Sequence, residues 1–154
     1  RDGGQLWRDR GVLQLRRKLE EEPLSVALPI PGEVRLTRGG KVTVWRATCE
    51  PGAVILKNPD VACLDADRLA SHSLWLRLVA PGDRFVPFGM RGSRLVSDYL
   101  TDRKYSRLRK AQTYVLCRDK DIVWLVGERT DQRFAVTPER TRHTVVVRMT
   151  AEEE

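Results

Sequence analysis

The sequence is poor in cysteine and has no long apolar stretch, and each scarcity excludes a class of protein. Its three cysteines, Cys49, Cys63 and Cys117, form no C-x-x-C pair, so we expect reduced thiols and neither a disulfide framework nor a zinc site. The longest stretch without Asp, Glu, Lys or Arg is residues 23–32, and it holds three prolines. No membrane-spanning helix and no signal peptide are therefore expected, and a membrane is not among the predicted partners.

Catalytic motifs are also missing. The two histidines, His72 and His143, have no carboxylate or cysteine at ligand spacing, and no G-x-S-x-G, H-E-x-x-H or G-x-x-x-x-G-K-[ST] motif occurs. The neighbouring acids Asp65 and Asp67 fit the first turn of a helix, where acids are favoured. We predict that this chain alone is not an enzyme and that it binds no metal and no cofactor of its own.

Basic residues are abundant and unevenly placed. The net charge is +7, and 22 of the 28 basic residues are arginines. Residues 84–118 hold nine basic and two acidic residues, a surplus equal to that of the whole chain. Guanidinium groups match phosphate geometry, so this segment favours a polyanion partner. A GC-rich genome would also raise the arginine content, but it would not explain the clustering.

Alternation of apolar and polar residues predicts a chain made mostly of short strands. A hairpin is expected around Gly39-Gly40, and further strands at residues 24–30, 61–64, 74–79, 114–117, 122–126 and 144–149. Another hairpin is expected over residues 5–15. Two short helices follow the central loop, with Ser93 and Ser106 as predicted N-caps. The predicted fold class is mainly β with short helices, that is α+β.

Three regions are predicted along the chain. Residues 1–60 form a strand-rich linker or hairpin region, residues 61–150 form the main domain, and residues 151–154 form a disordered tail. The chain begins with Arg1 instead of Met, so we expect it to be part of a longer protein.

The central loop, residues 81–94, is rich in glycine, proline and arginine. We expect Phe85, Phe88 and Met90 to anchor it to the core, and its arginines to project where the first helix begins, forming an anion site. In the alternative interpretation, this is an ordinary loop whose arginines pair with Asp83 and Asp98.

The same region carries a family signature. The run G-D-R-F-x-P-x-G-M-x-G-S-x-x-x-S-D spans Gly82 to Asp98, and Ile122-Val123-Trp124 follows with Gly127, Asp131 and Phe134. This pattern resembles the C-terminal, substrate-tRNA-binding region of bacterial tRNA(Ile)-lysidine synthases. The resemblance covers roughly residues 64–149.

The resemblance implies that catalysis and tRNA binding lie in different domains of one protein. Enzymes of this family use ATP and Mg²⁺ in an upstream catalytic domain to join lysine to the wobble cytidine of an isoleucine tRNA with a CAU anticodon. The parent protein would thus be an ATP-dependent ligase of the cytoplasm. The C-terminal region would bind the acceptor-stem side of the tRNA. Its implied fold is layered and β-sandwich-like, similar to a domain of the phenylalanyl-tRNA synthetase β subunit.

Candidate site residues follow from the basic segment and the signature together. Two acids, Asp98 and Asp102, are expected to orient the arginines, whereas Phe85, Tyr99 and Trp124 are expected in the core. As an alternative function, the basic segment would mediate protein contacts, either with the upstream domain or within a homodimer. The predicted tRNA-binding residues are Arg84, Arg91, Arg94, Lys104, Arg107, Arg129 and Arg133.

Overall fold

The computed structural model describes residues 25–36, 39–50, 52, 58–70 and 73–150. The hairpin predicted over residues 5–15 and the tail at 151–154 lie outside these ranges. The described strands are β1 Val26–Leu28, β2 Gly32–Arg35, β3 Lys41–Thr48, β4 Val61–Asp65, β5 Leu74–Leu78, β6 Arg84–Phe85, β7 Arg94–Leu95, β8 Tyr114–Arg118, β9 Asp121–Leu125 and β10 His143–Thr150. The helices are α1 Ala66–Leu69, α2 Val96–Asp102 and α3 Arg107–Ala111, with a 3-10 turn at Gln132–Phe134.

The strands form two four-stranded antiparallel sheets and one short ribbon. Sheet A has the order β9-β8-β5-β1, and sheet B has the order β2-β3-β10-β4. Strands β6 and β7 pair only with each other, with Arg84 opposite Leu95. The chain is therefore mainly antiparallel β with short helices, as predicted.

The main core lies between the two sheets. Leu74, Leu76 and Leu116 of sheet A belong to one buried cluster with Val44 and Val147 of sheet B. Along β5 only alternate residues are fully buried, as expected for a strand with one face on the core. Trp124, predicted for the core, is 1% exposed in this cluster.

A second core lies on the other side of sheet A. Val115 and Cys117 alternate along β8 with Leu116, and they pack with Val96 and Leu100 of α2. Because β8 is covered on both faces, all three of its central residues are apolar and buried. The result is three layers: sheet B, sheet A and a helical layer, which we define as residues 84–111.

Strands from both sides of residue 60 share each sheet. In sheet A, β1 pairs with β5, and in sheet B, β3 pairs with β10 along their whole length. The domain boundary at residue 60 stays a prediction, but the strands of residues 26–48 pack as part of the same two sheets as residues 61–150.

Local sequence signals specify most of the element ends. The Asp65 carboxylate accepts the Asp67 amide at 2.9 Å and caps α1, and Ser106 caps α3 by accepting the Arg109 amide at 3.0 Å. The prediction that Ser93 caps α2 is wrong. That helix begins only at Val96, and no side chain caps it.

Within the described ranges, no helix is long and apolar enough to cross a membrane.

Candidate nucleic-acid interface

The central loop is hydrogen-bonded to the segment that follows β9. The Gly89 amide donates to Gln132 Oε1 at 2.7 Å, and the Phe88 amide donates to the Thr130 carbonyl at 2.9 Å. Arg129 Nη1 donates to the Phe88 carbonyl at 3.1 Å. These bonds fix the loop between β6 and β7 in one position on the molecule.

Asp131 is the buried centre of this attachment. Its carboxylate accepts the Val86 amide at 2.8 Å and the Arg133 amide at 2.8 Å. It also accepts two bonds from the Arg133 guanidinium, Nε at 2.9 Å and Nη2 at 3.0 Å. The hydrogen bonds to this carboxylate raise the pKa of Arg133. One acid thus positions both the loop and an arginine.

The apolar residues of the loop divide into two groups. Phe85 is buried and meets Tyr99 edge-on, with ring centroids 5.3 Å apart, so both residues lie in the core as predicted. Phe88 and Met90 are 38% and 36% exposed, so the expectation that they anchor the loop to the core is wrong. Gly89 has a φ of +86° between them, and this turn carries both side chains away from the core.

Arg84 and Arg94 extend from the two strands of the ribbon. Arg84 Nε donates to Ser93 Oγ at 3.1 Å. Arg94 pairs with Asp102 at 2.7 Å and lies 5.8 Å from the centre of the Tyr99 ring. The Ser93 hydroxyl, expected to cap a helix, therefore holds an arginine instead.

Three predicted cations have no internal partner in the described part of the chain. Arg91 lies on the exposed loop, Lys104 in the turn between α2 and α3, and Arg107 in the first turn of α3. All three are exposed. Lys110 holds α3 against α2 by donating to Ser97 Oγ at 3.1 Å, so Lys104 and Arg107 sit on a fixed helix pair.

The predicted orienting acids differ in what they contact. Asp102 binds Arg94, consistent with an orienting role. The Asp98 side chain is exposed and makes no hydrogen bond or ion pair with any residue that the structure describes, so nothing supports the same role for it. Asp131 and Glu128 hold arginines in the structure, and the sequence analysis assigned neither that role.

Glu128 joins the turn after β9 to the helical layer. Its side chain, only 6% exposed, accepts from Arg103 Nε at 2.8 Å and from the Tyr105 hydroxyl at 2.8 Å. Burial, followed by this hydrogen bond, raises the pKa of Tyr105 to about 12. Arg109 stacks 3.8 Å from the centre of the Tyr105 ring. This network holds the α2–α3 turn that carries Lys104.

A cleft of about 230 Å³ brings together residues that are distant in sequence. Arg84 and Arg133, both predicted to bind tRNA, line it. Lys120, in the turn between β8 and β9, lines it as well and was missed because nothing local in the sequence links that turn to the loop. We call this feature the basic cleft.

The basic segment keeps most of its charge unpaired. Of its nine cations, Arg94, Arg103 and Arg118 pair with carboxylates. The other six form no ion pair with any described carboxylate; they are Arg84, Arg91, Lys104, Arg107, Arg109 and Lys110.

The part of the chain described here also contains no group of three or more His, Cys, Asp or Glu side chains placed to hold a metal ion.

These features define a layered antiparallel β domain with a basic helical layer. A family model described as "TilS substrate C-terminal domain" matches residues 74–147. This match confirms the expected resemblance to the C-terminal region of tRNA(Ile)-lysidine synthase.

Full-length relatives agree with this assignment. A tRNA(Ile)-lysidine synthase of Parabacteroides distasonis is 47% identical over 93 residues, which is 60% of this chain and 21% of the relative. One from Bacteroides thetaiotaomicron is 42% identical over 99 residues, or 64% of this chain and 23% of the relative. The matched region therefore spans less than a quarter of the length of either protein.

A solved structure confirms the fold. The structure titled "Crystal structure of TILS C-terminal domain" matches with a TM-score of 0.69 and 18% sequence identity. The match covers 84% of this chain and 99% of that one.

Proposed function

We propose that this domain binds tRNA on its acceptor-stem side as the C-terminal part of a tRNA(Ile)-lysidine synthase. In this proposal an upstream catalytic domain of the same protein, with ATP and Mg²⁺, attaches lysine to the wobble cytidine of an isoleucine tRNA with a CAU anticodon. The domain described here supplies affinity and orientation, and the protein works in the cytoplasm, where its tRNA substrate is found.

The observation that carries the proposal is the unpaired positive charge of the helical layer. Arg91, Lys104 and Arg107 are exposed, and no described carboxylate neutralises them. A-form RNA hides its base edges in a deep and narrow major groove, so a protein on a tRNA stem relies mainly on phosphates, 2′-hydroxyls and shape. Exposed cations on short, fixed elements suit that task.

Three of the other predicted contacts are already oriented in the free protein. Asp131 holds Arg133 through two bonds, Asp102 holds Arg94, and the Phe88 carbonyl accepts from Arg129. An arginine held in place loses less side-chain entropy when it meets a phosphate. In the proposed interface, Arg94, Arg129 and Arg133 therefore act as prepositioned contacts.

A salt titration of tRNA binding tests the proposal. If about four phosphates are neutralised, log K falls with log salt at a slope of roughly −3 to −4. Changing Arg91, Lys104 and Arg107 together to glutamate should weaken binding and flatten the slope. Arg46→Glu is the matched control, because Arg46 is an exposed arginine on β3 of sheet B, outside the helical layer.

A flat salt dependence of the wild-type protein, or a triple variant that binds like Arg46→Glu, would contradict tRNA binding through this surface. Light scattering on the same samples addresses the protein-contact alternative. A tight homodimer that buries the helical layer would favour that alternative.

A further inference from the structure

The basic cleft lies where the ribbon meets the turn between β8 and β9. Arg84 reaches it from β6, Lys120 from the turn, and Arg133 from the 3-10 turn after Asp131. These three cations are 13 to 49 positions apart in sequence, and only the fold brings them to one cleft. Ser93 adds a hydroxyl to the lining.

Two of the three cations, Arg84 and Lys120, have side-chain hydrogen-bond donors that are free. Arg84 donates through Nε and Nη2 to Ser93, which leaves Nη1 unused. The Lys120 side chain is exposed and makes no hydrogen bond or ion pair with any residue that the structure describes. Arg133 is held in a fixed orientation by Asp131 through Nε and Nη2, and that carboxylate balances its charge. The cleft thus offers two free donors beside a fixed guanidinium.

One carboxylate, that of Asp121, also lines the cleft. Arg118 Nη2 donates to it at 3.1 Å, and Arg133 Nη1 lies 3.7 Å from its other oxygen. Arg118 balances Asp121, and Asp131 balances Arg133, so Arg84 and Lys120 carry the excess positive charge of the cleft. The field in the cleft is positive.

The floor of the cleft is apolar. Phe85 and Ile122 are buried beneath the charged rim. The volume of about 230 Å³ is far above the roughly 10–15 Å³ that a single water molecule needs. An apolar floor of low polarisability strengthens the attraction between the rim cations and an anion seated above it.

We propose that the basic cleft binds one phosphate group, held jointly by Arg84 and Lys120. The assignment deepens the proposed function and rests on it for the source of the phosphate, which is then a backbone phosphate of the bound tRNA. A fork-shaped guanidinium, an ammonium and a hydroxyl around one cleft are the donor types that bind phosphate oxygens in proteins. The same chemistry would accept the phosphate of a small molecule.

A double-mutant cycle on tRNA binding tests whether the two cations share one phosphate. Arg84→Ala and Lys120→Ala should each weaken binding by roughly tenfold. If they hold the same phosphate, the double variant should bind only slightly more weakly than the weaker single variant, and its salt slope should fall by about one in magnitude. Arg46→Ala should bind like the wild type.

A second measurement tests whether the cleft binds phosphate at all, independently of tRNA. Inorganic phosphate is titrated into the isotope-labelled chain, and the amide resonances of Ser93, Lys120 and Ile122 are followed against those of β3. We expect shifts at the cleft in the wild type that disappear in Lys120→Ala. If these shifts occur but the wild type binds no tRNA, the cleft is a small-molecule phosphate site and the proposed function is wrong.

The opposite pattern overturns the inference and leaves the proposed function intact. In that pattern the wild type binds tRNA with a steep salt dependence, and Arg84→Ala and Lys120→Ala bind like Arg46→Ala. Strictly additive losses in the double variant would also overturn it, because two independent phosphates would then be involved.

Discussion

The Asp131 carboxylate accepts the backbone amide of Val86 at 2.8 Å, across 45 positions of sequence. The same carboxylate holds the guanidinium of Arg133. The loop after β6 and the predicted contact residue Arg133 are therefore positioned by one buried acid. A change at Asp131 should disturb both stability and binding.

Asp131→Asn should lower the free energy of unfolding by about 1.5–3 kcal/mol, because the bonds lost are bonds to a charged, buried group. Urea denaturation measures this. Asp98→Asn is the control, since the exposed Asp98 has no partner among described residues, and it should change stability by less than about 0.5 kcal/mol. Equal stability losses in the two variants would contradict the role assigned to Asp131.

Two leucines of the helical layer allow a matched test of the second core. Leu100 of α2 is fully buried, whereas Leu108 of α3 is 68% exposed. Leu100→Ala should cost about 2–5 kcal/mol of unfolding free energy, and Leu108→Ala less than about 0.5 kcal/mol. If both variants unfold at the same denaturant concentration, α2 does not pack on sheet A as described.

Tyr105 should make stability depend on pH in the alkaline range. Its ordinary pKa of 10.0 rises to about 12 in the folded protein, so the unfolded chain loses this proton first. The associated stability is complete below pH 10 and is lost as the pH rises from 10 to 12. In Tyr105→Phe the free energy of unfolding should fall less steeply with pH over this range than in the wild type. Part of the fall should remain, because burial also raises the pKa of Tyr99.

Denaturant titrations at a series of pH values measure this decline, and the ultraviolet absorbance of tyrosinate follows the ionisation directly. Parallel pH profiles for wild type and Tyr105→Phe would show that Glu128 and burial do not protect the Tyr105 proton.

The cysteines should differ in reactivity. Cys117 is buried between sheet A and α2, and burial raises the pKa of its thiol. Since the thiolate is the reactive form, alkylation should reach Cys117 only when the domain opens, and Cys49, which is partly exposed, should react earlier. Mass spectrometry after timed alkylation gives the order. Early labelling of Cys117 would mean that the second core opens readily.

The sequence predicted the elements well where a local pattern decides them. The alternation in β5, the Gly39-Gly40 hairpin and the Ser106 cap each depend on neighbouring residues, and all three are confirmed. Ser93 failed as a cap because Arg94 and Leu95 pair with β6, so the helix begins only at Val96, and no local pattern encodes that pairing.

The basic residues of the candidate interface could be predicted from the sequence, but the side-chain contacts that position them could not. The charge count located the basic segment, and the free cations Arg91, Lys104 and Arg107 belong to it. The acids that hold the arginines have partners that are distant in sequence. Asp131 accepts the Val86 amide from 45 positions away, and Glu128 accepts from Arg103, which is 25 positions away. Such partners emerge only when the strands have been paired.

The position of β10 has a consequence for the order in which the domain is completed. Sheet B has β10 in its interior, between β3 and β4, although β10 is synthesised after every other described strand. Until a ribosome has delivered residues 143–150, β3 and β4 lack their shared neighbour and the apolar faces of both sheets lack a complete cover. Formation of this core during translation must therefore wait for β10, and the helical layer that packs on sheet A gains its full support only then.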